Sequence, residues 1–146
     1  MGLFDGYDIS ASGLNSQRKR LNVISANIAN ANTIKGTDGK PYQRQITVFE
    51  ELITKNETKA KDDQMEIDFF SKVNVNKVTS DNSEPIMKYE PSHPDANKDG
   101  YVAYPNINPV IEMVNMVEAT RSYQANIKAY EATKHIDDAT IDILKA

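Results

Sequence analysis

The sequence predicts a mainly α protein with a small β segment. Its long N- and C-terminal helices are expected to pair as a coiled-coil-like hairpin around a short antiparallel β/loop insertion. Three observations carry this. Apolar residues recur at steps of three, four and seven through the first third of the chain. A second, longer seam runs from Val110 to Ala146 without a proline or glycine. Between them the apolar period shortens to two, the period of strands. The expected division is therefore an N-terminal helix in residues 1–36, a β-hairpin/loop segment in 37–105 and a C-terminal helix in 106–146.

The first helix is read from an N-cap at Asp8 through Leu14, Leu21, Ile24 and Ile28, with Gln17 interrupting. The same phase extends back to Leu3 and Tyr7. So narrow a stripe buries one side against a partner helix and does not fold alone. Gly36 and the Asp38-Gly39 pair are turn residues, so the helix is expected to end near Asn32 and Thr33.

In the middle, "YQRQITVFEE" alternates and predicts a short strand. "ITKNETKAKDDQMEID" is charged and without period, and predicts a mobile loop or hairpin tip. "FFSKVNVNKVT" predicts a second strand, "DNSEP" a turn and "IMKYE" a third strand. A three-stranded antiparallel sheet is the economical assembly of these pieces.

The last helix has the stronger signals. Asn108 suits the N-cap, Pro109 loses nothing at the first helical position, and Glu112 meets the positive end of the helix dipole. Val110, Met113, Val117, Thr120, Gln124 and Ile127 follow a heptad, widened by Met116, Tyr123 and Tyr130. An unbroken helix here would be roughly 55 Å long at about 1.5 Å per residue, although Asp137-Asp138 is a candidate break. Neither seam is broad enough for a self-contained bundle, so pairing of the two helices, or pairing with neighbours, is required to bury them.

Composition excludes several functions. There are no cysteines, so disulfides, zinc-thiolate sites and thiol catalysis are absent. A net charge of −4 argues against a nucleic-acid binder. That charge is uneven, +3 over residues 1–48 and −5 over 49–105, and the Arg18-Lys19-Arg20 cluster is either a solvated face or a docking charge for an acidic neighbour. No apolar run has the length of a membrane span, and the N-terminus lacks the features of a cleaved secretory signal. Its "MGLFDG" has Gly6 where a myristoylation sequence wants Ser or Thr.

"DANKDG" places Asp95, Asn97, Asp99 and Gly100 as in a helix-loop-helix calcium site. The twelfth position is Asn106 rather than a bidentate Glu, and Pro91, Pro94 and Pro105 oppose flanking helices. The competing reading is a turn with positive φ at Gly100. A calcium-binding regulatory module over Asp95–Asn106 stays as the alternative function. The two histidines, His93 and His135, have no triad spacing, and the adjacent acids Asp62-Asp63 and Asp137-Asp138 point apart, so no catalytic, metal or cofactor site is expected.

Asparagine is a mediocre helix former, roughly 0.6 kcal/mol worse than alanine. Its use at Asn27, Asn30, Asn32 and Asn126, among small alanines, suggests amides that bond across close helix contacts and fix register.

"DISASGLNSQRKRLNVISANIANANT" resembles the N-terminal signature of the flagellar axial proteins, those of rod, hook and hook-associated segments. "HPDANKDGYVAYPNINPVIEMVNMVEATRSYQANIKAYEATK" resembles their C-terminal signature, and the combination in a short chain is similar to the flagellar basal-body rod proteins of the proximal rod. The matching positions are Asn27, Asn30 and Asn32 in the first motif. In the second they are Gly100, Tyr101, Pro105, Asn106, Glu112, Met113, Arg121, Tyr123 and Asn126. The resemblance implies a structural subunit that polymerises through its terminal helices into a torque-transmitting shaft. It implies as partners copies of itself, other flagellar rod proteins, and base-of-rod and export-gate components, with no nucleic acid and no direct membrane insertion. It also implies a place in the rod outside the cytoplasmic membrane, reached through the flagellar type III apparatus without a cleaved signal peptide. Another flagellar axial protein is the nearer alternative.

Overall fold

The computed structural model of the chain describes residues 5–36, 38–59 and 65–145, with side chains at 5–36, 38–53 and 71–145. Leu3 and residues 60–64, part of the expected loop tip, lie outside the described residues. In chain order the elements are α1 (Asp5–Ala29), β1 (Gln45–Lys59), β2 (Met65–Ser80), β3 (Ile86–Tyr89), β4 (Tyr101–Tyr104) and α2 (Pro109–Lys145).

α1 begins three residues before the expected cap. Asp5 and Asp8 both lie in its first turn, where either carboxylate meets the positive end of the dipole, so Asp8 is a first-turn residue and not the N-cap. The helix stops as expected, and Asn30 stops it. The Asn30 amide donates to the Ala26 carbonyl at 2.9 Å, and the Thr33 N–H donates to the Asn30 carbonyl at 3.0 Å. The Asn30 side chain thus shares the Ala26 carbonyl with its own backbone N–H, and the Asn30 carbonyl, which the last turn would leave open, is taken by Thr33.

The expected three-stranded sheet does not form. Among the described residues there are two two-stranded sheets, β1–β2 and β3–β4. β1 and β2 run through most of the stretch read as a loop: Ile53–Lys59 and Met65–Asp68 are strand. Cross-strand backbone pairing overrides the missing alternation there, because strand formation depends more on the partner than on the segment. β3 takes as its partner β4, which lies within the stretch read as a turn. The register is antiparallel, Ile86 opposite Tyr104 and Tyr89 opposite Tyr101. The Tyr89 and Tyr101 rings meet edge to face at 5.3 Å, and the Lys88 ammonium lies 4.2 Å from the Tyr104 ring centre. Val102 on β4 is completely buried.

α2 starts as predicted. The Asn108 side-chain oxygen accepts from the N–H groups of Val110 and Ile111 at 3.0 and 3.4 Å. It then runs unbroken through Asp137-Asp138 to Lys145, and two adjacent acids, one half-buried and one exposed, are not enough to end it.

The contacts divide the chain into two compact units. One gathers the described residues of Met1–Lys19, Phe49–Asn76 and Thr120–Ala146; the other gathers Arg20–Val48 and Lys77–Ala119. Ile24, Ala31, Val102, Ile107 and Ala119 form the apolar core of the second.

The loop between β3 and β4 turns on Gly100, at φ +81°. A Cβ there would come within 2.9 Å of the Tyr89 ring and 3.2 Å of Pro91. Gly100→Ala therefore combines a strained backbone with a clash, and should lower stability by about 1–3 kcal/mol. Thermal unfolding of the variant checks this; an unchanged midpoint contradicts it.

Candidate assembly site

The second unit is organised around a buried cluster of polar side chains. Glu112 in the first turn of α2 is 1 % exposed and Asn27 in the last turns of α1 is also 1 % exposed. A carboxylate in such a place costs several kcal/mol unless its oxygens are paired. Here they are. One oxygen accepts from Arg44 Nε and Nη2 at 3.0 and 2.7 Å and from the Asn115 amide at 3.3 Å. The other accepts from the Asn27 amide at 3.2 Å. The forked guanidinium fits this geometry and an ammonium would not.

Asn27 is saturated. Its NH2 donates to the Gln45 carbonyl at 2.8 Å as well as to Glu112, and its oxygen accepts from the Gln45 N–H at 2.8 Å and the Tyr42 hydroxyl at 3.3 Å. One amide thus joins α1, α2 and the start of β1. Burial, then the Glu112 charge, pushes the Tyr42 hydroxyl up from its ordinary value and keeps it a donor. On the far side of Arg44 lies Asp81, 3.8 Å away. Hydrogen bonds from the Ser83 hydroxyl and N–H hold the Asp81 carboxyl below the ordinary range, with Arg44 adding to them.

The helices approach each other at several small and polar residues, as well as at the Tyr7–Tyr130 ring pair. In the second unit, besides Asn27 and Glu112, Arg20 reaches Glu118 at 3.3 Å and Ala119 is fully buried. In the first unit a Cβ on Gly13 would meet the Asn126 side chain at 2.5 Å, and one on Gly6 would meet Thr133 at 3.0 Å. As α1 advances by seven there, its neighbour on α2 recedes by seven, so the contact is antiparallel. Residues 6, 13, 20 and 27 are spaced by seven, as are 112, 119, 126 and 133. That repeat of small and polar types was available in the sequence, but a search for apolar periodicity passes over it.

The residues expected to form the apolar seam are placed differently on the two helices. On α1, Ile24 is buried and Leu14, Leu21 and Ile28 are half-buried. On α2, Val110, Met113, Val117 and Ile127 are exposed, Val110 at 67 %. Among the described residues they are covered only in part, Ile127 the most, at 36 % exposure. The Gln17 side-chain oxygen Oε1, at the interruption of the seam, is buried and accepts no hydrogen bond among the described residues.

In the first unit α1 also carries the hairpin. Lys72 pairs with Asp8 at 2.6 Å, the Val73 N–H donates to Ser12 Oγ at 3.2 Å, and Ser16 Oγ donates to the Val73 carbonyl at 3.0 Å. Two serines one turn apart therefore occupy a strand edge that would otherwise be open to pairing. Further along, Tyr7 packs edge to face on Tyr130 at 4.9 Å. Burial, a hydrogen bond to Asp137 and the charge of that carboxylate push the Tyr7 hydroxyl up to about 12.

The remaining motif positions serve the turns and the helices. Gly100 turns the β3–β4 loop and Tyr101 opens β4; Pro105 is buried and Asn106 exposed. The Asn126 amide donates to the Ser122 carbonyl of its own helix at 2.9 Å. Arg121 is exposed, Tyr123 half-buried and Asn32 exposed. In the calcium-like stretch the Asn97 oxygen accepts from the N–H groups of Asp99 and Tyr101, both at 2.9 Å, which is the work of a turn. Among the described residues no three His, Cys, Asp or Glu side chains gather where they could hold a metal.

Removing a partner from the buried cluster should be costly. Glu112→Ala leaves Arg44, which is partly exposed, with Asp81 alone and takes one acceptor from Asn27, and should lose about 1–3 kcal/mol. Asn27→Ala leaves the Gln45 N–H and carbonyl unpaired and should lose about 2–3 kcal/mol. Denaturant unfolding measures both, and a loss under about 0.5 kcal/mol for either contradicts the assignment. The raised Tyr7 hydroxyl gives a second expectation. Its contribution to stability is complete below about pH 10 and is lost as the pH rises through about 12, because the folded state resists forming tyrosinate. A pH titration followed by tyrosinate absorbance and helix content should show the two changing together in that window.

Comparison with known proteins agrees with the placement of both motifs. Residues 8–34 match the family described as flagella basal body rod protein, and residues 98–143 match the flagellar basal body rod FlgEFG protein C-terminal family. The chain is 39% identical over 145 residues to the flagellar basal-body rod protein FlgC of Aquifex aeolicus, covering 99% of both chains. It is 40% identical to FlgC of Bacillus subtilis, covering 92% of this chain and 93% of the relative. With FlgC of Salmonella typhimurium it shares 37% identity, covering 92% of each. Asn27 and Glu112, which the buried cluster brings together from opposite ends of the sequence, fall one in each matched segment, and the chain belongs to the FlgC family of flagellar basal-body rod proteins.

Proposed function

We propose that this chain is a structural subunit of the bacterial flagellar basal-body rod, at its proximal part, and that it has no enzymatic role. It polymerises through its terminal helices, in residues 1–36 and 106–146, while residues 37–105 fill contacts between subunits. Within each subunit the helices pair in a coiled-coil-like hairpin. The assembled rod transmits torque from motor to hook. Its partners are copies of itself and other rod proteins, with base-of-rod and export-gate components at its lower end. The chain reaches the rod through the flagellar export apparatus without a cleaved signal peptide. No helix among the described residues is long and apolar enough to cross a membrane.

The observation that carries the assembly reading is the exposed apolar face at the start of α2. Val110, Ile111, Met113, Val114 and Val117 are each more than half exposed. So many large apolar side chains along two turns of one helix mark an interaction surface rather than a solvated one. The half-buried Leu14, Leu21 and Ile28 of α1 provide a second strip of the same kind.

Deleting the gene should leave cells without assembled hooks, and the wild-type chain should restore them. Leu21→Asp and Val114→Asp chains should fail to restore them although each is made and exported, since a charge buried at a subunit contact is not tolerated. Hooks assembled in the deletion strain would sink the rod reading. Full restoration by both variants would sink the assigned surface.

A further inference from the structure

We infer that the end of α2 from one copy plugs a proline-lined pocket on the next copy. This deepens, and rests on, the reading of the chain as a rod subunit. The pocket lies in the second unit, with a volume of about 170 Å³, and its apolar walls come from Pro41, Tyr42, Pro85 and Pro105. Three prolines and an aromatic ring hold it open, because their conformations cost little entropy to fix. The buried cluster adjoins it, since Arg44 and Asp81 are also in its lining. Small-molecule sites usually run from about 300 Å³ upward, and this pocket is too small for one. A dry cavity of about 150 Å³ holds a benzene ring, so one branched aliphatic side chain is a suitable occupant.

The chain carries such an occupant. Ile143 and Leu144 in the last turn of α2 are 77 % and 82 % exposed, the most exposed of the large apolar side chains described. Charge matches on both sides of the contact. The plug has Asp142 and Lys145, both exposed, around its apolar pair. The pocket has Lys40, exposed and without a carboxylate partner among the described residues, and Asp81, kept ionised by Ser83. Opposite charges across an apolar contact fix its orientation more than its strength.

The contact is one between two copies. Asn106 lines the pocket three residues before α2 begins, and α2 then runs 37 residues without a break. A helix does not bring its last turn back to its first. A pocket at one place and its complement at another make a head-to-tail contact, which propagates instead of closing on itself. That is the type of contact an open helical assembly needs.

The test uses full-length chains in assembled basal bodies. The protein has no cysteine of its own, so two tagged variants, Gln43→Cys at the pocket rim and Ala139→Cys one turn before the plug, bring the only thiols of this chain and leave Ser83, Ile143 and Leu144 in place. Cells lacking the native gene express both, and isolated basal bodies are mildly oxidised. A disulfide-linked pair carrying both tags, at least ten-fold above either variant alone, is expected; a disulfide needs Cα atoms within about 7 Å. Basal bodies that contain both variants but no mixed pair overturn this contact and leave the rod reading standing. Absence of the chain from basal bodies overturns both.

Discussion

Glu112 could not be where it is without Arg44 and Asn27. A carboxylate at 1 % exposure, in a chain with few buried apolar residues, is tolerable only because four donors converge on it. Those donors come from α1, α2 and the residue before β1. The requirement is therefore mutual: each helix is held at one register against the other, and the first strand leaves at one angle. An apolar contact would permit sliding by a turn, whereas a saturated amide does not. Asn27 is the centre of this arrangement because it satisfies both backbone groups of Gln45 while still reaching Glu112.

The consequence for function is a division of labour along the helices. Polar and small residues hold the chain together internally: Gly6, Gly13, Asn27, Glu112, Ala119 and Asn126. Apolar residues along the start of α2 are thereby left outside, as Val110, Met113 and Val117 show, while Ile24, Val102 and Ile107 stay inside. Glycine at the close approaches lets the helices sit nearer than leucine would allow, as the 2.5 Å clearance at Gly13 shows. A subunit built this way keeps its most adhesive surface for its neighbours. The unequal charge of its segments points the same way.

The main lines of this fold were legible in the sequence, and its inner contacts were not. Asn108, Pro109 and Glu112 announced the start of α2 because capping is local chemistry. The tail of α1 was legible for the same reason. β4 was missed because Tyr101–Tyr104 follows a turn so strong that the four residues were read as part of it. β1 and β2 extend past the readable alternation because each supplies the other's hydrogen bonds. From sequence alone Glu112 is a first-turn acid that suits the helix dipole. Its true partner, Arg44, lies 68 residues away, and no periodicity links them. Among the described residues only Asn27 of the repeated asparagines bonds across to the other helix, while the Asn30 and Asn126 amides donate to carbonyls one turn back in their own chain segment.

The central claim is that Asn27 and Glu112 act as parts of one cluster rather than as two independent buried residues. A double-mutant cycle on unfolding free energy tests it most directly, using Asn27→Ala, Glu112→Ala and the pair. The double variant should be less destabilised than the sum of the singles by about 1 kcal/mol or more, since removing one already frees the other from its role. Losses that add to within about 0.3–0.5 kcal/mol, the behaviour of uncoupled sites, would contradict the account.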